Sequence, residues 1–409
     1  MLRARSWVST RRGTNQVDLG PAPGPTTREP RGVTQQITRE TATPALETSE
    51  PTEESKRARW SRARIAWTLV AVGFIAWAIA AFIDDGTLFV ALLGAGIASG
   101  AIIAIVALGF LMIMKATGIA NFAQGDLVTL GAFLGFWATD QLGLAKDGLG
   151  LSLGFGYLVA LAIMFVIGVV IERVAYAPLR GREIHVVVIA TLAVAIVIRT
   201  LLAIWQGGDP RSLQSWFNPG GSLQNFLFFD QGVLRINIGF LGVHDAVINA
   251  QRVVIIVVTA VVVVATMWLF ARTSFGRQVR AIAADRETAR LCGVKVNRLS
   301  MLSFGISSCL AGLAGILIGP LQAFDLNLGF TFMLLGFAAA VLGGFGSLGG
   351  TVLGGVLIGL TQELFGGQML PMVAGHDALK YRSTLPFVLM LVVIAIKPQG
   401  FFGRVTRRL

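Results

Sequence analysis

Ten apolar runs, each about as long as a helix needs to cross a hydrocarbon layer, constrain this chain more than any other feature. They lie at 65–83, 87–113, 119–139, 152–174, 184–205, 252–271, 300–322, 330–346, 350–366 and 383–397. A spanning helix takes about 20 residues, because a rise of about 1.5 Å per residue must match about 30 Å of hydrocarbon. A mean hydropathy of +0.71 and only 14% charged residues fit lipid rather than water as the solvent. The predicted fold class is therefore all-α, a polytopic membrane bundle of eight to ten spans. The range reflects runs 119–139, 330–346 and 350–366, where glycine and polar residues predict broken or re-entrant helices.

Residues 1–64 are rich in Thr, Pro, Arg and Glu and have no apolar period, so they predict a disordered tail. The tail ends in the basic cluster from Lys56 to Arg64, directly before the first run, where it suits anionic lipid or simply fixes topology. The expected organisation is a basic cytoplasmic tail over 1–64, an additional transmembrane helix over 65–86 and a transport body over 87–409. The first run is too long and begins too late to be a cleaved signal.

The distribution of basic residues sets the expected orientation. Threaded from a cytoplasmic N-terminus, only Lys146, Arg211, Arg235, Arg252, Lys380 and Arg382 of the 34 Lys and Arg fall on the outer side, and Arg199 lies within a run. The remainder fall on the inner side, on the tail, at Lys115, at Arg173, Arg180 and Arg182, in the loop from Arg272 to Arg298 and at the C-terminus, which predicts that both termini lie on the cytoplasmic side of a plasma membrane. The net charge of +12 thus serves topology. No basic face interleaved with aromatics appears, so nucleic acid is not an expected partner.

Chemistry-bearing motifs are few. No Gly-x4-Gly-Lys-Ser/Thr loop is present, so the chain is not expected to hydrolyse nucleotide. Gly344 to Gly349 spells Gly-x-Gly-x-x-Gly, yet it joins two membrane-length runs rather than a strand and a helix. Leu364-Phe365-Gly366-Gly367-Gln368 resembles an ATPase signature with Phe in place of serine, and maps outside the membrane. His185, His244 and His376 lack metal-ligand spacing, and Cys292 and Cys309 predict free thiols. No cofactor or metal is expected, and no nucleophile–base pair suggests an enzyme.

The loop between the sixth and seventh runs predicts a helix over 278–292, stopped by Gly293 in a left-handed cap. Taken alone it is a solvated helix whose charges fix topology. Its Glu287-Thr288-Ala289-x3-Gly293 nevertheless resembles the coupling-helix motif of ATP-binding cassette (ABC) importer permeases, with Thr at the second position. Residues Thr117 to Asp126 are similar to the Asn-Phe-Ala-x-Gly-Asp/Glu segment of the branched-chain amino acid (hydrophobic amino acid uptake) type of ABC permease. Leu310–Gly319 and Phe337–Thr351 resemble the C-terminal half of that family, and the likeness covers roughly 87–400.

That resemblance implies a transport subunit driven by separate cytoplasmic ABC ATPase subunits. A second permease subunit, identical or homologous, and an external solute-binding protein are the other implied partners, beside the lipid bilayer. It implies that Arg280, Asp285, Glu287, Ala289 and Gly293 form the coupling helix. Branched-chain amino acids, urea and short amides are the implied solutes, and a stand-alone ion-coupled carrier or channel is the alternative.

Asn121, Gln124, Gly125 and Asp126 interrupt an apolar run. A carboxylate in hydrocarbon costs about 2.5–3.5 kcal/mol on insertion scales, so these residues are expected either to line a translocation path at a broken helix or to sit in an interfacial turn. Arg199, about six residues from the end of its run, is expected to snorkel to the interface, with a substrate or packing role as the other option. Gly96-x3-Gly100, Gly131-x3-Gly135, Gly315-x3-Gly319 and Gly355-x3-Gly359 predict close helix crossings.

Overall fold

The computed structural model describes Gly73 and residues 76–142, 150–214, 229–230, 233–238, 243–397 and 400–401. The expected tail lies outside the described residues, and the first run is described at Gly73 and 76–83, with 76–84 helical. The helices that follow are α1 (Gly86–Thr117), α2 (Gln124–Phe136), α3 (Gly150–Ile171), α4 (Ile184–Gln206), α5 (Ala250–Arg272), α6 (Ser274–Ala284) and α7 (Arg286–Leu291). Then come α8 (Val296–Ile318), α9 (Leu328–Gly343), α10 (Leu348–Leu360), α11 (Leu370–Ala374) and α12 (Leu385–Ile396).

Among the described residues six helices are long and apolar enough to cross a membrane, and α9 and α12 are shorter apolar helices. The α2 helix, carried on by a wider π-helical turn to Gln141, is shorter than its run predicts, because Gly118 to Ala123 form a turn instead of a helix. The α10 helix passes into a π-helical stretch over Thr361–Met369 and on into α11, so the run at 350–366 continues beyond its expected end. The α8 helix starts at Val296, four residues before its apolar run, because Asn297 and Arg298 form a polar first turn that a hydropathy window skips.

Local chemistry sets the ends. Asp85 accepts from the Leu88 amide at the start of α1, and Gly118 closes that helix with a φ of 80°. Asn249 and Ser347 cap α5 and α10 in the same way, each satisfying an amide that the first turn leaves open.

Helices α1 and α8 form the centre of the bundle, while α3, α4 and α5 turn most of their surface outward. The outward side chains, such as Ile196, Leu201, Val261 and Val264, are those lipid solvates. Paired small residues set the crossings. A Cβ on Gly359 would lie 2.2 Å from the Gly100 nitrogen, and one on Gly131 would lie 2.2 Å from the Gly312 Cα. The expected motifs around Gly100 and Gly359 therefore face each other across α1 and α10. Between α4 and α5 a small antiparallel sheet, outside the all-α expectation, runs in the order β1 (Phe229–Asp230), β2 (Val233–Ile238), β3 (Val243–Asn249). It pairs Val233 with Asn249.

Candidate functional site

Two regions hold the polar residues singled out in the sequence. The first is the elbow between α5 and α8. The expected single helix over 278–292 is two helices, α6 and α7, broken at Asp285. The break follows from the Asp285 carboxylate. Its Oδ1 accepts from the amides of Glu287 at 2.9 Å and Thr288 at 3.3 Å, and its Oδ2 accepts from the Thr288 hydroxyl at 2.5 Å, so Asp285 starts a new helix instead of continuing the old one. Those three donors hold the Asp285 carboxyl below the usual carboxylate range, the Thr288 hydroxyl first among them.

The far end of α7 closes as expected. Gly293 has a φ of 80°, and the Val294 amide reaches back to the Ala289 carbonyl at 3.1 Å, a closure that spans the left-handed residue. Ala289 is buried beneath the elbow, whereas Glu287, Thr288 and Arg290 are exposed and Leu291 is 89% exposed. Arg280 donates from Nη1 to the Phe270 carbonyl, which ties α6 to the end of α5.

A cluster that sequence reasoning missed sits beside this elbow. Glu172, fully buried at the end of α3, pairs with Arg180, which also donates to Asn297 in the first turn of α8. Burial, with the nearby charges of Arg286 and Arg290, pushes the Arg180 guanidinium below its usual range. Arg180 thus holds the ends of α3 and α8 together. The available signal was the Glu172-Arg173 pair at the end of an otherwise apolar run.

The second region is the break before α2. Asn121 Oδ1 accepts from the Ala123 amide at 3.1 Å, and the Phe122 amide donates to Thr191 Oγ1 on α4 at 3.3 Å. Gln124 is buried between helices, donating from Nε2 to the Ser307 carbonyl at 3.2 Å and accepting from Ser307 Oγ at 2.9 Å. The same hydroxyl reaches the Gly109 carbonyl at 2.9 Å, so one three-residue junction joins α1, α2 and α8. Gly125 lies against α9, where a Cβ would come within 2.2 Å of the Gly329 carbonyl oxygen.

Asp126, also buried, accepts on Oδ1 from Arg199 Nε at 3.0 Å, with Arg199 Nη2 at 3.0 Å from the same oxygen. Arg199 is thus tied to α2, which fits the packing role left as the other option beside snorkelling. A small pocket lies behind the break, lined by Asn121 and Thr191 amid the apolar side chains of Tyr176, Val187, Val194 and Phe304. Among the described residues no group of three or more His, Cys, Asp or Glu could hold a metal ion.

A family model described as "Branched-chain amino acid transport system / permease component" matches residues 92–394, which include both regions. The chain belongs to this family. Among its curated relatives, the permease protein BraD of a Pseudomonas aeruginosa high-affinity branched-chain amino acid transport system is 30% identical over 312 residues, covering 76% of this chain and 94% of the relative. The corresponding protein LivH of Escherichia coli K12 is 28% identical over 314 residues, with the same coverage. An autoinducer 2 import system permease, LsrC of an Enterobacter species, is 28% identical over 274 residues, covering 65% and 66% of the two chains. Among solved structures, PsaBC from Streptococcus pneumoniae in complex with Fab aligns at 17% identity and a TM-score of 0.40, covering 80% of this chain and 97% of that one. The branched-chain permease match starts after the first apolar run, within α1, and ends within α12.

Proposed function

We propose that this chain is the pore-forming permease subunit of an ABC importer in the plasma membrane, carrying branched-chain amino acids, with urea and short amides as alternative solutes. Both termini and the α6–α7 elbow face the cytoplasm, where one of two ATPase subunits seats on the elbow. A second permease completes the pore, and an external binding protein delivers the solute. The observation that carries this reading is α7 itself, a capped helix outside the apolar spans that presents Leu291, 89% exposed, among the charged Glu287 and Arg290. An apolar knob ringed by charge is suited to a protein groove. Family membership and the absence of a phosphate-binding loop support an engine on another chain.

ATP binding would draw the ATPases together, push the two elbows and switch access between the membrane faces, a two-state change. A stand-alone ion-coupled carrier would need an intramembrane charge free to take up and release an ion, and Asp126 is already engaged by Arg199. The test is purification of the chain from its own membranes with whatever accompanies it, followed by reconstitution. A co-purifying ATPase and ATP-dependent leucine uptake are expected. The Gly293→Arg variant should insert normally and transport nothing. Solute uptake by the chain alone in liposomes would overturn the reading.

A further inference from the structure

A cavity of about 150 Å³ opens between α3, α5 and α8, toward the ends of these helices farthest from the elbow. Its floor is α8, through Leu313 and Leu317, the second only 6% exposed. Leu158 and Leu161 of α3 form one wall, and Val254 and Val258 of α5 form the other. Leu158 is 65% exposed, so the mouth lies on the outward surface of α3, beside Phe155 at 58%. The cavity is therefore continuous with the surface that lipid solvates.

Its polar groups gather at the end away from the elbow. Gln251, in the first turn of α5, donates from Nε2 to the Leu317 carbonyl at 3.2 Å, and the Tyr157 hydroxyl donates to the Gln214 carbonyl at 2.7 Å. These bonds tie α5 to α8 and α3 to the segment after α4, which fixes the rim. From Gln251 the lining continues seven residues along α5 to Val258, about 10 Å by helix rise. The deeper part is lined by aliphatic side chains.

We infer that this cavity is a binding site for one acyl chain of a membrane phospholipid, in the leaflet away from the elbow. An apolar cavity of this size stays dry yet accepts a hydrocarbon guest. An amino acid would have to shed water from two charges, and among the described residues no charged side chain lines the cavity to receive them. A helix of a second subunit, about 10 Å across, is too wide to enter. A chain passing Leu158 lays its methylenes against Leu161, Val258 and Leu313 and keeps its headgroup near Tyr157 and Gln251, at the level where amphipathic side chains meet the interface. Because α5 leads into the elbow and α8 leads out of it, the seated chain spaces the two helices that carry the elbow. Such a site is independent of which solute is carried.

The test places the assembled transporter, with its partner subunits, in vesicles of phosphatidylethanolamine and phosphatidylglycerol, a fraction of the latter carrying a photoactivatable diazirine on its acyl chain. After illumination, labelled residues are mapped by peptide mass spectrometry. Leu317 and Leu313 on the α8 floor should be labelled as well as the outward Val261, which is 63% exposed. Lipid that only coats the bundle reaches Val261 and not Leu317, so label confined to outward residues, or no label at all, would overturn the inference. Val254→Phe and Val258→Phe fill the cavity and should lose the floor label while keeping that on Val261; the map of the parent stands whether or not these variants assemble. Floor label in an assembled Val258→Phe variant that matches the parent would count against the site. Displacement of the floor label by leucine would seat the solute there, and a disulfide between two permease chains through Val258→Cys would seat a second copy; either result overturns the lipid site.

Discussion

At the residue scale the elbow depends on one carboxylate. Asp285 caps α7 through two amides and the Thr288 hydroxyl, and these donors depress its titration. A depressed carboxyl contributes stability that is complete above the unfolded value of about 4 and is lost as pH falls through the lower folded value. The amides of Glu287 and Thr288 should therefore stay protected from hydrogen exchange at neutral pH and lose protection only in acid. In Asp285→Ala they should be unprotected throughout, with α6 unchanged. Gly293 makes a different demand. Its φ is 80°, and a Cβ added there would meet open space, so the constraint is backbone geometry rather than crowding. Asn, which tolerates the left-handed region, should preserve uptake, whereas Val, at a cost of about 1–2 kcal/mol, should lower it. Uptake assays on the two variants, normalised to permease amount, check this.

At the scale of elements, the sequence pattern is informative where one helix decides its own fate and weak where two must meet. Hydropathy placed the spans, and the glycine past α7 marked its end, because both are local signals. The break at Asp285 was equally local, a helix-starting side chain inside a run of helix formers, but propensity summed over the segment concealed it. The Asp126–Arg199 and Gln124–Ser307 partnerships were not legible, since each joins residues on different helices whose contact only packing decides. The alternation in Val233–Ile238 was a readable strand signal, masked by the apolar runs on either side. Gln124→Leu keeps the volume but strips the junction with Ser307 and Gly109 of its partner. A loss of about 1 kcal/mol, in line with interhelical hydrogen bonds in membranes, should appear as a modest fall in the melting temperature of the purified chain.

For the whole molecule, backbone contact at the crossings decides whether the bundle closes. A side chain on Gly131 would press into the Gly312 backbone, and one on Gly100 would meet the Val356 Cα at 2.7 Å. Neither contact can be relieved by turning a rotamer. Gly131→Val and Gly100→Val should separate α2 from α8 and α1 from α10, costing more than about 3 kcal/mol and leaving protein that inserts but aggregates on extraction. Size-exclusion profiles in mild detergent, compared with Val261→Ala on the lipid-facing side, provide the check.

The junction of Gln124 with Ser307 also bears on how the chain is made. Helix α2 enters the bilayer while Ser307, 183 residues downstream, has yet to be synthesised, and Asp126 must wait for Arg199, 73 residues later. The apolar surface of α1 can rest in lipid during that interval, but an unpartnered amide and carboxylate cannot do so cheaply. The nascent α2 should therefore linger beside the insertion machinery until α4 and then α8 arrive, which makes the order of translation part of how this permease acquires its fold.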